Sequence, residues 1–211
     1  MNDRDLVLRW VHGWAGMRVL RIEEVDGWPL VHVRGPSRET EVVCVDPGLD
    51  AFERLARRTA GRPREMLTVM ARDLDAYRAA PLPPGIRVDR VDELFMTTTL
   101  APSAPEPVPY TARWDVDGDR ATFLLIDGER LAAEGTVGVH GTDAIFDVIE
   151  TTPKYRRRGL GRHVMSRLTT WAVDHGATTG LLAASADGAR LYASIGWDTP
   201  LPMWSLMSAR P

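Results

Sequence analysis

The stretch TTPKYRRRGLGRHVM, Thr151 to Met165, joins an apolar run to a segment with helical periodicity. One residue separates its two glycines, Gly159 and Gly161, and arginines stand before and after them. A helix N-terminus exposes unpaired N–H groups and carries about half a positive charge. Glycines allow close approach of a ligand and left-handed backbone angles. The stretch therefore predicts either an anion-binding turn, with a diphosphate as its natural guest, or a plain helix start with surface arginines.

Two other phosphate-binding loops do not fit this stretch. A Walker loop ends in Gly-Lys-Ser/Thr, whereas Gly161 is followed by Arg162 and His163. The dinucleotide fingerprint needs three glycines within a parallel βαβ unit. Here two glycines follow a predicted antiparallel meander, whose turns are marked by the Asp-Gly pairs at residues 117–118 and 127–128. Both alternatives are set aside.

Composition limits the class of protein. The formal net charge of −3 argues against a dedicated nucleic-acid binder, which would carry a basic excess. The N-terminus has no apolar signal core, and no window reaches the ~18 apolar residues of a membrane span. The single cysteine, Cys44, lies in an apolar run, which predicts a reduced thiol in a strand. We expect a soluble, cytoplasmic protein without nucleic-acid or membrane partners.

The pattern of elements divides the chain in two. Residues 3–16 predict an amphipathic helix, which is followed by three strand-like runs. A helix over residues 46–61, with Asp46 or Asp50 as its cap, and a further strand come next. The proline-rich connection at 79–87 places the boundary, giving an N-terminal α/β subdomain over 1–82 and a second domain over 83–211. We predict an α+β fold for the whole chain.

The second domain opens with an ambiguous segment, residues 86–100, and a second proline-rich loop. The meander, a helix over residues 159–175, a short strand, a short helix and a final strand complete it. Seven tryptophans are spread along the chain. Core filling is favoured for them over an acceptor site or a dimer contact. A homodimer stays compatible with the sequence.

Two motifs about thirty residues apart resemble one family. The pattern Gln/Arg-x-x-Gly-x-Gly/Ala is met by Arg156, Gly159 and Gly161, with Pro153 and Tyr155 in register before it. SADGARLYASIGW, residues 185–197, is similar to the family's C-terminal strand-to-helix segment. Over residues 110–210 the chain thus resembles the GNAT superfamily of N-acetyltransferases, in the actinobacterial form with an extended N-terminal region.

The resemblance implies a mixed, mostly antiparallel central sheet flanked by helices. It implies that the strand over residues 144–152 separates from its neighbour and admits acetyl-CoA, the co-substrate. Backbone N–H groups of residues 157–162 would receive the pyrophosphate, and no metal is implied. The residues expected to bind the cofactor are Ile149, Thr151, Arg156, Arg157, Arg158, Gly159, Leu160, Gly161, Arg162 and Ser185.

The resemblance also gives Tyr192 the role of protonating the departing thiolate, with a half-buried structural aromatic as the alternative. Strand alternation places Asp147 with Ile145, Ile149 and Thr151 on one face, and Glu150 with Phe146 and Val148 on the other. Asp147 is the first candidate for base or anionic clamp and Glu150 the second. The weaker candidates are His140, His163 and Glu134.

The expected function is transfer of an acetyl group from acetyl-CoA to a primary amine, a small molecule rather than a protein. A non-catalytic acyl-CoA-binding or regulatory module is the alternative, and nucleotide recognition through phosphate contacts ranks third. The family's first strand and two helices, which supply much of the acceptor pocket, find no clear match. The extended N-terminal region either adds a subdomain or supplies those elements in altered form.

Overall fold

The computed structural model describes residues 2–209. The chain folds into two compact units. The first contains the chain up to Phe95, residues 184–186 and the chain from Thr199 onward; the second contains Met96–Ala183 and Asp187–Asp198. The sequence boundary between residues 82 and 83 stays a prediction.

The described part of the chain contains five α-helices and eleven strands. The helices are α1 (Asp3–Met17), α2 (Leu49–Ala60), α3 (Asp75–Ala79), α4 (Leu160–Asp174) and α5 (Ala186–Ala193). The strands are β1 (Ile22–Val25), β2 (Trp28–Val31), β3 (Thr40–Val45), β4 (Glu65–Met70), β5 (Ile86–Thr99), β6 (Thr111–Asp117), β7 (Arg120–Asp127), β8 (Arg130–His140), β9 (Asp143–Thr151), β10 (Thr179–Ala184) and β11 (Asp198–Ser208).

The first unit has the strand order β1-β2-β3-β4-β11-β5. β1, β2 and β3 are antiparallel, β3 and β4 are parallel, and β11 returns antiparallel to β4. The predicted face of α1 is confirmed, since Leu6, Val7, Trp10, Val11 and Trp14 are buried. The predicted cap of α2 is wrong, because its N-cap is Gly48 without a side-chain hydrogen bond.

The second unit has the strand order β5-β10-β9-β8-β7-β6. β6 to β9 form the predicted antiparallel meander, and the ambiguous segment is the long strand β5. The helix α4 packs on β7, β8 and β9 through Leu160, Val164, Met165, Leu168 and Ala172, which are buried. The mixed, mostly antiparallel sheet flanked by helices is therefore confirmed.

Candidate functional site

The strand β9 separates from β10 after a short parallel ladder. Asp143, Ala144 and Ile145 pair with residues 179–181 of β10. On its other edge β9 remains paired with β8 as far as Thr151. Within residues 2–209, the stretch from Phe146 to Thr151 therefore has no ladder partner on the β10 side. The opening that the resemblance implies is present, and its backbone groups can meet the amides of a ligand.

A bulge interrupts β9 inside this opening. Thr136 of β8 pairs with Asp147, whereas Glu134 pairs with Glu150. Gly135 thus faces two residues of β9, Val148 and Ile149, which is the arrangement of a β-bulge. Val148 has a φ of 51°, an unusual backbone conformation for a β-branched residue.

The bulge makes the predicted alternation wrong beyond Asp147. Cross-strand partners share a face, and Glu134 and Thr136, two residues apart on β8, also share one. Asp147 and Glu150 therefore lie on the same face. Ile149 packs beside Gly135 on the opposite face, where Val164 and Leu168 of α4 also approach that glycine. Gly135, one of two glycines within β8, was the sequence signal for an irregularity at this point of the ladder.

The turn before α4 presents unpaired backbone donors. Gly159 is the N-cap, in the left-handed region at a φ of 76° and without a side-chain cap. Its carbonyl accepts the N–H of His163 at 3.0 Å. Within residues 2–209 no acceptor meets the N–H groups of residues 159–162. Leu160 is 2% exposed and packs its side chain into the core, so it offers no side-chain contact to a ligand.

The two glycines of the turn are needed for different reasons. A Cβ at Gly159 would meet no atom within 4 Å, so its left-handed φ is the constraint. Gly161 lies within the first turn of α4, and a Cβ there would approach Leu191 Cδ2 of α5 to 2.9 Å. Gly161 therefore allows close packing of two helices as well as leaving its amide uncovered.

Arginine side chains surround the turn, and most are tethered. Arg156 Nε donates to the Thr151 carbonyl at 3.1 Å. Arg158 donates to the Tyr110 hydroxyl at 3.2 Å, and Arg162 to Ser194 Oγ at 3.2 Å. Arg157 is exposed, with a φ of 63°. These fixed positive charges favour an anion at the start of α4.

A cleft of about 610 Å³ lies in the second unit, between the turn, one side of α4 and the segment after β5. Arg158, Gly159 and Arg162 line it. The proline-rich segment is fixed along α4, because Ser166 Oγ and Thr170 Oγ1 both donate to the Ser103 carbonyl, at 3.1 and 3.0 Å. The loop predicted from prolines is thus an ordered part of the site region.

Tyr192 and Asp147 lie near one another. The side chain of Tyr192 is 6% exposed and packs against Trp197, with ring centroids 5.9 Å apart. Burial, with a further contribution from the charge of Asp147, raises the pKa of Tyr192 to about 12. The phenol is therefore protonated throughout the neutral range. Asp147 Oδ1 accepts the N–H of Val148 at 2.9 Å, within the bulge.

The remaining candidates are dispersed. His140 is exposed at the end of β8, and His163 lies on α4 with Nδ1 3.0 Å from the Glu106 carbonyl. Burial lowers the pKa of His163, and the positive charge of Arg167 lowers it further. The hydrogen bond to the Glu106 carbonyl acts in the opposite direction and raises the pKa. Ser185 is exposed between β10 and α5 and belongs to the first unit, so its role stays a prediction.

Neither a cysteine nucleophile nor a metal site is supported by the described residues. Cys44 is fully buried, which raises the pKa of its thiol and keeps it from a substrate. Across residues 2–209 no group of three or more His, Cys, Asp or Glu side chains is arranged to hold a metal ion. In the same range no helix has the length and apolar character that a membrane span requires.

Solved structures share this architecture. A GCN5-related N-acetyltransferase from Kribbella flavida superposes with a TM-score of 0.68 at 14% identity, covering 98% of this chain and 95% of its own. A putative GNAT-family acetyltransferase from Novosphingobium aromaticivorans gives 0.64 at 18% identity, covering 96% of each chain. A GCN5-related N-acetyltransferase from Sphaerobacter thermophilus gives 0.55 at 16% identity, covering 87% and 77%.

These likenesses concern the fold. No curated protein matches the chain by sequence. The model of the acetyltransferase (GNAT) family matches residues 88–197, more than half of the chain, and spans both the glycine turn and Tyr192. The chain therefore belongs to the GNAT family of acetyltransferases, within the acyltransferase class.

Proposed function

We propose that the protein transfers an acetyl group from acetyl-CoA to the primary amine of a small molecule, by direct attack in a ternary complex. The observation that carries this proposal is the early separation of β9 from β10, next to a helix start with uncovered amides. The opening offers strand backbone to the amide groups of pantetheine. The turn offers N–H donors and arginines to the pyrophosphate.

The residues present fit such a co-substrate. The donors are the amides of residues 159–162, and the surrounding charges are those of Arg156, Arg157, Arg158 and Arg162. Thr151 and Ile149 flank the opening at the end of β9. A Cβ at Gly159 would point into space that no protein atom occupies within 4 Å. The same space is where an anion approaching the helix start would lie.

The chemistry needs two proton transfers. The amine nitrogen forms a bond to the thioester carbon, the carbon–sulfur bond breaks, and the nitrogen loses one proton. Asp147, directly or through a water, is the proposed acceptor of that proton. Tyr192, whose pKa is raised to about 12, holds a proton that it can give to the departing thiolate.

A non-catalytic acyl-CoA-binding module is the competing function. Such a module needs the turn and the opening but has no use for a buried phenol beside a carboxylate. Tyr192 is a buried residue whose pKa is raised to about 12 by burial and by the charge of Asp147. A phenol kept protonated beside a carboxylate suits proton transfer and favours the enzyme over the module.

A thiol-release assay with acetyl-CoA and a panel of amines tests the proposal. We expect turnover by the wild type, and a fall of about 100-fold or more in kcat for Tyr192→Phe, the usual range for loss of a general acid. Calorimetry should find acetyl-CoA affinity unchanged in that variant. Acetyl-CoA binding without turnover on any amine would favour the module. Equal affinity for ADP and acetyl-CoA would instead indicate nucleotide recognition.

A further inference from the structure

Three aromatic side chains close the inner end of the opening between β9 and β10. The ladder of these strands ends at Ile145 and Leu181, so Phe146 is the first residue of β9 beyond it. The ring of Phe146 meets the indole of Trp197 edge to face, with centroids 5.3 Å apart, and Trp197 meets Tyr192 at 5.9 Å. We call Phe146, Tyr192 and Trp197 the aromatic floor. Each of the three is at most 6% exposed, so the floor is a packed part of the second unit.

The aromatic floor has no spare room behind it. Gly180 lies opposite Ala144 in the ladder that ends at the floor. A Cβ at Gly180 would lie 2.8 Å from Trp197 Cη2 and 2.8 Å from Leu100 Cδ2. Carbon atoms in contact prefer about 3.5–4.0 Å, so a single added methyl group does not fit between these side chains. Because a close-packed interior resists an added methylene, the indole of Trp197 cannot recede to admit one.

The aromatic floor also borders the cleft that begins at the glycine turn. Trp197 lines this cleft of about 610 Å³, and so do Gly159 and Arg162. The stretch of β9 from Phe146 to Thr151 is roughly 16 Å long at ~3.3 Å per residue. An extended pantetheine arm, with about thirteen bonds between the pyrophosphate and the sulfur, also spans roughly 16 Å. A co-substrate with its pyrophosphate at the turn would therefore bring its thioester to the aromatic floor.

We propose that the aromatic floor restricts the acyl donor to acetyl-CoA and excludes longer acyl-CoA thioesters, with Phe146 and Trp197 as the residues that determine this specificity. This inference rests on the proposed acetyl transfer and names the side chains that select its donor. An acetyl group has one carbon beyond the thioester carbonyl. Each further carbon of a propionyl or butyryl group would have to enter the space that the two rings occupy.

Acetyl-CoA, propionyl-CoA and butyryl-CoA provide the test, because they differ only in the length of the acyl chain. Calorimetry without an amine measures the Kd of each thioester, so this readout does not depend on turnover. We expect butyryl-CoA to bind at least about tenfold more weakly than acetyl-CoA, with propionyl-CoA between them, since one methylene changes the affinity of a fitted apolar pocket by about tenfold or more. With any amine that is acetylated, kcat/KM should follow the same order.

Two variants and one control locate the effect. Trp197→Phe and Phe146→Leu each remove volume from the aromatic floor, and in both the ratio between the Kd values of butyryl-CoA and acetyl-CoA should fall below about threefold. A merely structural role would weaken the binding of both thioesters alike and leave the ratio intact. Trp171→Phe makes the same substitution on α4, where the indole stacks on His175 and does not line the cleft. This control should keep the ratio of the wild type.

Three results would overturn the inference. Equal Kd values for the three thioesters defeat it, and so does a ratio that both Trp197→Phe and Phe146→Leu leave unchanged. Loss of the ratio in Trp171→Phe would show that a general loosening of the second unit, rather than the aromatic floor, admits the longer chains. Absence of turnover on any amine, with the order of the Kd values intact, defeats the proposed acetyl transfer and supports the floor as the element that selects the bound acyl group.

Discussion

The junctions β3–Gly48–α2 and β9–Gly159–α4 are built alike. Both helices begin at a glycine with a positive φ and no side-chain cap, at φ values of 77° and 76°, although ψ is 156° at Gly48 and 3° at Gly159. In both, the strand before the helix is parallel to the strand after it. The ladders differ, however: β3 pairs with β4 along all six of its residues, whereas β9 pairs with β10 at three. The first junction therefore has no opening between β3 and β4 that matches the one between β9 and β10.

The helix starts differ as well. The N–H of Gly48 donates to the Tyr77 hydroxyl at 3.1 Å, and that hydroxyl donates to Asp46 Oδ1 at 2.6 Å. The first junction thus satisfies its own donor and places a carboxylate beside it. At Gly159 the corresponding donors lack partners within residues 2–209, and arginines surround them. An anion would be repelled at one junction and attracted at the other.

Parallel strands joined by a glycine turn are thus present at both junctions and are not sufficient for the proposed acyl-CoA site. The proposed site also needs a ladder that ends early and a helix start whose N–H groups the protein leaves uncovered. The bulge at Val148 and Ile149 gives β9 one residue more than β8 has opposite it. This extra residue lies in the part of β9 that is not paired with β10. We therefore expect one acetyl-CoA per chain, bound in the second unit.

Matched glycine substitutions should give the largest difference between the junctions. Gly48→Ala and Gly159→Ala each force an alanine to a positive φ, at a cost of about 1–3 kcal/mol in the free energy of unfolding. Gly159→Ala also places a methyl group where the anion approaches, so its acetyl-CoA Kd should rise at least about tenfold. Urea unfolding and calorimetry measure the two effects. An equal loss of affinity in Gly48→Ala would show that both junctions bind.

The two buried tyrosines should differ in their contribution to stability. Tyr77→Phe removes the partner of Gly48 N–H and Asp46, and we expect a loss of about 2 kcal/mol in the free energy of unfolding. Tyr192→Phe removes a hydroxyl that makes no side-chain hydrogen bond among residues 2–209, and it should change stability by less than about 0.5 kcal/mol. Activity should show the reverse order, with Tyr77→Phe close to the wild type.

Chemical denaturation of both variants, beside the acetyl-transfer assay, measures this contrast. A stability loss in Tyr192→Phe as large as that in Tyr77→Phe would mean that its hydroxyl has a structural partner. The proton-donor role would then lose its support.

Local patterns predicted much of this fold because the deciding interactions are local. The helical spacing from Leu160 to Ala172 and the Asp-Gly turns of the meander depend on near neighbours, and both are confirmed. The segment over residues 86–100 stayed ambiguous because its apolar residues follow neither period. Its pairing within the sheet, a long-range interaction, makes it a strand. The cap of α2 was missed for the same reason, since Tyr77 reaches Gly48 from another helix.

The candidate site was predicted less completely. The glycine turn was placed correctly on the start of α4, because its signal is contained in a few consecutive residues. The assignment of the β9 side chains to the two faces of the sheet was wrong beyond Asp147. Strict alternation assumes an uninterrupted ladder, whereas the bulge adds one residue. The catalytic roles of Tyr192 and Asp147, and the contacts of the cofactor-binding residues, stay predictions that the experiments above test.

Raising the pH into the alkaline range should give the smallest change in the free energy of unfolding, and Tyr77 and Tyr192 should both contribute to it. Burial raises the pKa of both Tyr77 and Tyr192 to about 12. The hydrogen bond to Asp46 adds to the increase for Tyr77, and the charge of Asp147 adds to it for Tyr192. An unfolded tyrosine has a pKa near ~10. The folded protein therefore holds each phenol proton more tightly. This stabilisation is complete below pH ~10 and is lost as the pH rises towards about 12.

At pH ~10.5 each phenol should account for about 1 kcal/mol of the lost free energy of unfolding. The fall in stability between pH ~9 and pH ~10.5 should thus be smaller by about that amount in Tyr77→Phe and in Tyr192→Phe. Because the tyrosines lie in separate units, the double variant should show the sum of the two changes. A double variant that loses stability with pH as steeply as the wild type would show that neither phenol is buried as the structure places it. Additivity would show that the two buried phenols, one in each unit, titrate independently of one another.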